Sequence, residues 1–457
     1  MTRPQPSPDA APEIVDATAH GLRAGMLNAN VRYIIERLQQ SGHEAVIVGG
    51  AVRDLLQGRQ PKDFDVATSA PPETVKRLFR NARIIGRRFR LVHLNYPDMT
   101  VEVATFRGKP RQSRDGMIHR DNTWGNLAED AFRRDFTMNA LSLDPQAMTI
   151  IDHVGGLADI EARRIRTILP PAASFEEDPV RMLRAVRFQV RLGFSLDPEL
   201  EGCIREQAQG LNLVSRHRLA EETQRFVSGG YAQAVFAAFE ALGLLVPLLD
   251  LQHHRKFFAP EARKRPLALL TPFLARNDEA AAAGEEAAGP TVALLGLLLS
   301  LAQPEVRHGL FPQAPASVQA GGSPRRKRLH AAQLADSFSA WGMLNGQVQP
   351  ACQILETAYG LLRDGLPLPG QEREPLRGER EAWMLLWLLR DDLSLPEDDL
   401  QPGRERLDEL PHLPILDHHL AAKHRTQARK AMQGPAHGLR RRKRKRRVRH
   451  TRGAGEA

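Results

Sequence analysis

Two aspartates, Asp63 and Asp65, stand either side of Phe64 in the run KDFDVAT at 62–68. In an extended strand, positions i and i+2 face the same side, so both carboxylates converge while Phe64 and Val66 turn toward a core. Two carboxylates held that close repel each other unless a cation lies between them. A hard divalent ion such as Mg²⁺, held by one or two carboxylates and by phosphate oxygens, fits that arrangement and serves phosphoryl or nucleotidyl transfer. Just upstream, Gly49 and Gly50 end the apolar run EAVIVGG at 44–50. A glycine pair after a strand leaves backbone N–H groups exposed. The N-terminus of a following helix adds positive potential, and the two together can cradle a triphosphate. Plainer roles are open to each: Asp63 as a capping acid beside a turn, Asp65 as a solvent-facing strand residue, the glycines as a tight turn.

A second chemical feature is EDPVRMLRAVRF at 177–188. Asp178 before Pro179 suits a helix start, an N-cap acid followed by proline at the first helical position. At roughly 100° per residue, Arg184, Arg187 and Arg191 fall in one stripe with Arg181 nearby, and Met182, Leu183, Val186 and Val190 lie mostly opposite. A helix packed on one side and carrying four arginines on the other calls for an anion; a solvated basic face is the plain alternative.

The elements that must position these residues follow from periodicity. The spacing predicts a helix over 29–40, strands at 44–50 and 62–68 with a short helix over 51–58 between them, and a helix over 71–80. Strands recur at 82–86, 88–96 and 100–107. Residues 107–126 read as a surface loop, 127–144 as a helix, and 149–156 as a closing strand. Beyond about residue 160 helical patterns dominate, at 178–193, 198–230, 231–249, 291–302, 330–344 and 353–362, with linkers expected at 275–290 and 313–328. The domain expectation is a disordered 1–25, a head over 26–160, a helical neck over 161–250, helical body domains over 251–425 and a disordered Arg/Lys-rich tail over 426–457.

With 457 residues, 42% of them apolar, the chain can bury two or three cores. Its two cysteines, Cys203 and Cys352, offer neither a disulfide framework nor a zinc-site spacing. The N-terminal stretch lacks the apolar core of a secretory signal and no run reaches membrane-spanning length, so a cytoplasmic protein without a membrane partner is expected. The formal charge of +10 has one source: residues 440–452 (RRRKRKRRVRHTR) hold 10 Lys/Arg and no acid, and the remainder carries 54 of each sign. Such a run is an electrostatic arm for a polyanion, ordinarily nucleic acid bound through its phosphates.

Taken in order, GGAVRDLLQG, KDFDVAT, RRDFTMNAL (133–141) and EDPVRMLRAVRF resemble the signature of the nucleotidyltransferase class that contains bacterial poly(A) polymerases and CCA-adding enzymes. The resemblance covers about 44–249. It implies an α+β fold: a polymerase-β-like mixed-sheet head, then all-helical neck and body domains. It also implies attack of an RNA 3′-hydroxyl on the α-phosphate of ATP with release of pyrophosphate. By the same resemblance Asp63 and Asp65 bind two Mg²⁺ ions, and Gly49, Gly50, Arg53 and Arg134 contact the nucleotide. Asp178 and Arg181 read the base edge, and Arg184 and Arg187 hold phosphates. Two acids compete for third place. Glu102, on VEVATFR, is a metal-site acid; Asp135, in RRDFT, is the favoured essential residue, or else a salt-bridge partner of Arg133 or Arg134. The run IIGRRFRLVH at 84–93 is similar to bacterial poly(A) polymerases rather than CCA-adding enzymes, and a basic arm suits an enzyme indifferent to RNA sequence. The expectation is a template-independent poly(A) polymerase acting on RNA 3′ ends bound largely through phosphates. The alternatives are a CCA-adding tRNA nucleotidyltransferase and an inactive RNA-binding homologue.

Overall fold

The computed structural model describes residues 10–86, 90–108, 124–250, 257–283, 289–311, 334–343, 345–363 and 378–395, with single positions up to 410. Its N-terminal half is built on an eight-stranded mixed sheet of order β1-β8-β7-β2-β3-β6-β5-β4. The strands are β1 (Glu13–Asp16), β2 (Ala45–Val48), β3 (Asp65–Thr68), β4 (Ala82–Ile85), β5 (Leu91–Asn95), β6 (Thr100–Thr105), β7 (Ser142–Asp144) and β8 (Thr149–Asp152). Every pairing is antiparallel except β3 with β6. β2, AVIV, is buried at all four positions, as a central strand must be.

Strand alternation decides what each face does. Ala45, Ile47, Val66, Val92, Val101 and Val103 join the main core, onto which α1 (Ala29–Gln40), α2 (Gly50–Leu56) and α3 (Pro72–Leu78) pack. The opposite face carries only a small cluster of Val46, Val48, Ala67 and Phe106. β6 shows the contrast directly, with Val101 and Val103 buried and Glu102 exposed between them. Because the side-chain period is two, Asp65 and Glu102 lie on this sparsely covered face.

The head continues with α4 (Leu127–Phe132) and α5 (Gly156–Glu161), and the neck with α6 (Pro171–Glu177), α7 (Val180–Leu192), α8 (Pro198–Gln207), α9 (Arg216–Val227) and α10 (Ala232–Ala241). Body helices follow, among them Pro266–Ala282, Pro290–Leu301, Asn345–Arg363 and Glu379–Leu388. No helix among the described residues is long and apolar enough to cross a membrane.

Several expectations need correction. Residues 13–20, read as disordered, form edge strand β1 against β8 and a 3-10 turn capped by Asp16. The helix expected over 127–144 stops at Phe132; the chain bends through 133–135, makes a 3-10 turn at Thr137–Asn139 and enters β7. The helix expected over 198–230 divides into α8, a 3-10 segment Ala208–Leu213 and α9. The first linker, expected from 275, is helical through Ala282. The second linker, Arg87–Phe89, most of the 107–126 loop and the whole basic tail lie outside the described residues.

Candidate active site

The site forms where the ends of β2 and β3 meet the bend after α4. Gly49, the residue before α2, has φ 77° and ψ −139°, a backbone state that side chains disfavour. A Cβ placed there would lie 3.1 Å from Arg134 Nη1 and 3.9 Å from Asp65 Oδ2. Glycine therefore lets three groups converge: the N-terminal turn of α2, a guanidinium and a carboxylate. Arg134 is aimed by its neighbours, donating from Nη2 to Asp130 Oδ2 at 3.0 Å and from Nη1 to the Asn139 carbonyl at 3.4 Å.

The strand expected over 62–68 starts only at Asp65, the first residue of β3, and Asp63 lies two residues before it outside the strand. Asp65 and Glu102 are direct register partners across the parallel β3–β6 pair. Asp65 reaches the surface, yet protein crowds its carboxyl. Burial, then the negative charges of Glu102 and Asp63, push it up to about 6, against the opposing pull of Arg134. A carboxylate beside a glycine turn that feels the negative charges of two others fits a divalent cation shared with phosphate oxygens. Among the described residues, no His, Cys, Asp and Glu side chains already close into a three-membered metal cage. Glu102 also pairs with His93 on β5, Nε2 to Oε1 at 3.2 Å.

Asp135, the favoured essential acid, is engaged by partners of its own. Its Oδ2 accepts from Arg184 Nε and Nη2 at 2.8 and 2.5 Å, and its Oδ1 from the Phe136 amide at 2.9 Å and Asn139 Nδ2 at 3.2 Å. Burial alone would raise its pKa, but the Arg184 pair and these hydrogen bonds outweigh burial and hold the carboxyl below the usual range. Asp135 is thus a fastening between head and neck, and its partner is Arg184 of α7 rather than Arg133 or Arg134.

The arginines divide differently from the single stripe that their spacing predicts. Arg53 is only 3% exposed. It donates to Asp54 and, at 2.5 Å, to Asn139 Oδ1, and its guanidinium lies 5.2 Å from the centre of the Phe188 ring. The structure therefore puts it beneath the glycine turn as a support. Arg181 is 8% exposed and turned into α6, bonded to Ser174 and to Glu177 at 2.7 Å. Asp178 accepts from the Val180 amide at 3.1 Å and from Arg218 at 2.5 Å, so the pair expected to read a base edge is already engaged within the neck. Arg184 and Arg187 pack beside Phe188, at 5.8 and 5.0 Å from its ring centre, and Arg191 is exposed.

The spacing of charged residues did not single out Asp130, Asn139, His93 or Phe188. An i, i+4 link to Arg134 could have found Asp130. Strand register alone brings His93 to the site.

Residues 45–166 match the family described as "Poly A polymerase head domain", and 193–255 match "Probable RNA and SrmB- binding site of polymerase A". Poly(A) polymerase I of Escherichia coli O6:H1 is 41% identical over 245 residues, covering 51% of this chain and 53% of that protein. The CCA-adding enzyme of a Geobacillus species is 40% identical over 233 residues, covering 50% and 57%. The crystal structure of Bacillus stearothermophilus CCA-adding enzyme in complex with CTP superposes with a TM-score of 0.51 at 29% identity, covering 83% of this chain and 80% of that one. The chain spans about half the length of the curated relatives it matches. With a matched head domain, this sheet order and a glycine turn beside Asp65, residues 45–166 are similar to the nucleotidyltransferase head that poly(A) polymerases and CCA-adding enzymes share.

Proposed function

We propose that this chain is a template-independent poly(A) polymerase that transfers AMP from ATP to RNA 3′ ends and releases pyrophosphate. The observation that carries the transferase reading is the convergence of Gly49, Arg134 and the Asp63–Asp65–Glu102 carboxylates on the open face of the sheet. Two Mg²⁺ ions held by those carboxylates would supply charge neutralisation for the triphosphate and acidify the attacking hydroxyl. The turn at Gly49 and Gly50 lets phosphate oxygens approach the backbone closely. Arg134, held by Asp130, presents a fixed guanidinium to the same oxygens. Asp135 and Arg184 keep the neck helix docked so that a base on the neck side meets a triphosphate on the head side. RNA is held mainly through its phosphates, by the neck segment and the arginine-rich arm.

Adenylate rather than CCA addition is favoured by the segment IIGRRFRLVH, which resembles bacterial poly(A) polymerases, and by the arm. CCA addition is the second reading, favoured by the superposition that extends through 83% of the chain. Incubating the full chain and Mg²⁺ with each NTP alone and with all four, on an unstructured RNA and on a tRNA lacking its CCA end, separates the two. Long tracts from ATP alone on the unstructured RNA are expected. Addition that stops after C, C and A on the tRNA overturns the poly(A) reading, and no incorporation on either RNA favours an inactive RNA-binding homologue.

A further inference from the structure

One row of the sheet runs across four strands in register: Arg83 on β4, His93 on β5, Glu102 on β6 and Asp65 on β3. Residues in one such row share a face, so His93 stands on the far side of Glu102 from Asp65. Its Nε2 is 3.2 Å from Glu102 Oε1, and the two side chains differ in access: His93 is 16% exposed and Glu102 47%. The imidazole is a fixed part of the sheet, and the carboxylate is open to a ligand. An unrestrained glutamate on an exposed strand samples many rotamers and must be ordered whenever it takes up a cation. A neighbour that holds one carboxylate oxygen removes that disorder in advance and leaves the other oxygen to point at the site. Outer partners of this kind affect metal affinity through the ligand they orient. His93 is also the last residue of IIGRRFRLVH, a segment to which the reaction itself assigns no chemistry.

We propose that His93 is a positioning residue for Glu102, aligning that carboxylate for the divalent ion that Asp63 and Asp65 share. The inference rests on the assignment of Glu102 to the metal site made above. The 3.2 Å contact holds Glu102 when the ring carries its proton on Nε2, so a side chain with an N–H donor can replace the ring and an apolar one cannot.

The test measures Mn²⁺ binding to the full chain by electron paramagnetic resonance, beside AMP incorporation, for wild type, H93L, H93Q, E102Q and H93L/E102Q. H93L is expected to weaken Mn²⁺ binding about tenfold, with an activity loss that added metal restores. H93Q, which keeps a donor, returns most of the affinity, and H93L adds nothing in the E102Q background. Thermal melting checks the fold; should H93L melt early, H93F fills the space without a donor. Wild-type Mn²⁺ affinity in H93L, or an equal drop with and without Glu102, overturns the role of His93 while leaving the transferase reading intact. Wild-type Mn²⁺ affinity in E102Q removes the metal assignment of Glu102, and the positioning role with it.

Discussion

Asp65 bears a cost of its position that a neutral side chain would escape. Its carboxyl, pushed from 3.8 up to about 6 by burial and by Glu102 and Asp63, prefers its protonated form in the fold. A folded value above the unfolded one means the unfavourable contribution is absent below about pH 4 and complete above about pH 6, so metal-free stability falls across that window. D65N is therefore expected to abolish nucleotide transfer and to stabilise the metal-free protein at pH 7 by on the order of 1 kcal/mol after solvent screening. The gain should vanish near pH 4. Melting curves of both proteins in a chelator at the two pH values check this; an equal D65N gain at both would show that neither burial nor the neighbouring charges raise this carboxyl. Gly49 makes the matching steric case. G49A is expected to cost about 1–3 kcal/mol from its positive φ and to push Arg134 Nη1 away, raising KM for ATP; an unchanged KM would remove Arg134 from the phosphate site. The aspartates and glycines were legible in the sequence because alternation and backbone freedom are local properties. Arg53 and Arg181 were not. Each has an acid close in sequence, Asp54 or Glu177, but the neutral partner that holds it inside, Asn139 or Ser174, comes from another element, and no spacing reveals that the guanidinium is buried rather than offered to a ligand.

Helix α7 carries the junction between head and neck, and two of its residues account for that. Arg184 takes Asp135 with two donors, and Phe188 packs edge-on against Phe136, ring centres 5.7 Å apart, while the Arg53 guanidinium lies 5.2 Å from the centre of the Phe188 ring. R184A leaves the buried Asp135 carboxylate with only neutral donors and is expected to destabilise by about 3 kcal/mol. D135N in the same chain should recover part of that loss, because the uncompensated charge is gone. Urea unfolding of both single variants and the double decides it, and strictly additive losses would mean that the two side chains do not act as a pair. The same contact explains why a helix over 127–144 was the wrong reading. The local pattern is helical, but Asp135 accepts from the very next amide and is drawn toward the neck, and the chain bends there. The opposite failure occurs in the body. Glu379–Leu388 is buried at every position, so it has no polar side from which a helical period could be read.

Under the proposed function, catalysis and RNA capture fall to separate parts of the molecule. The carboxylates, the glycine turn and the α7 arginines all lie before residue 192, within a chain whose charges balance at 54 of each sign once residues 440–452 are set aside. All the net charge sits in that arm, whose place was legible from composition and which lies outside the described residues. Aromatic residues are only 5% of the chain, and Phe136, Phe188, Phe226, Phe236 and Phe239 are buried in the core, so the proposed function assigns the main hold on RNA to charge rather than to stacking. Phosphate contacts of that kind leave a signature: each cation engaged on a single strand contributes about 0.7 to the slope of log affinity against log salt. Removing residues 440–457 is therefore expected to weaken binding of an unstructured RNA at low salt and to flatten that slope by several units. KM for ATP should stay as it was, because no part of the nucleotide site is touched. Fluorescence anisotropy over a salt series, run beside ATP kinetics, separates the two effects. An unchanged slope would mean that the arm takes no part in holding this RNA and that the neck and body carry the electrostatic contacts alone.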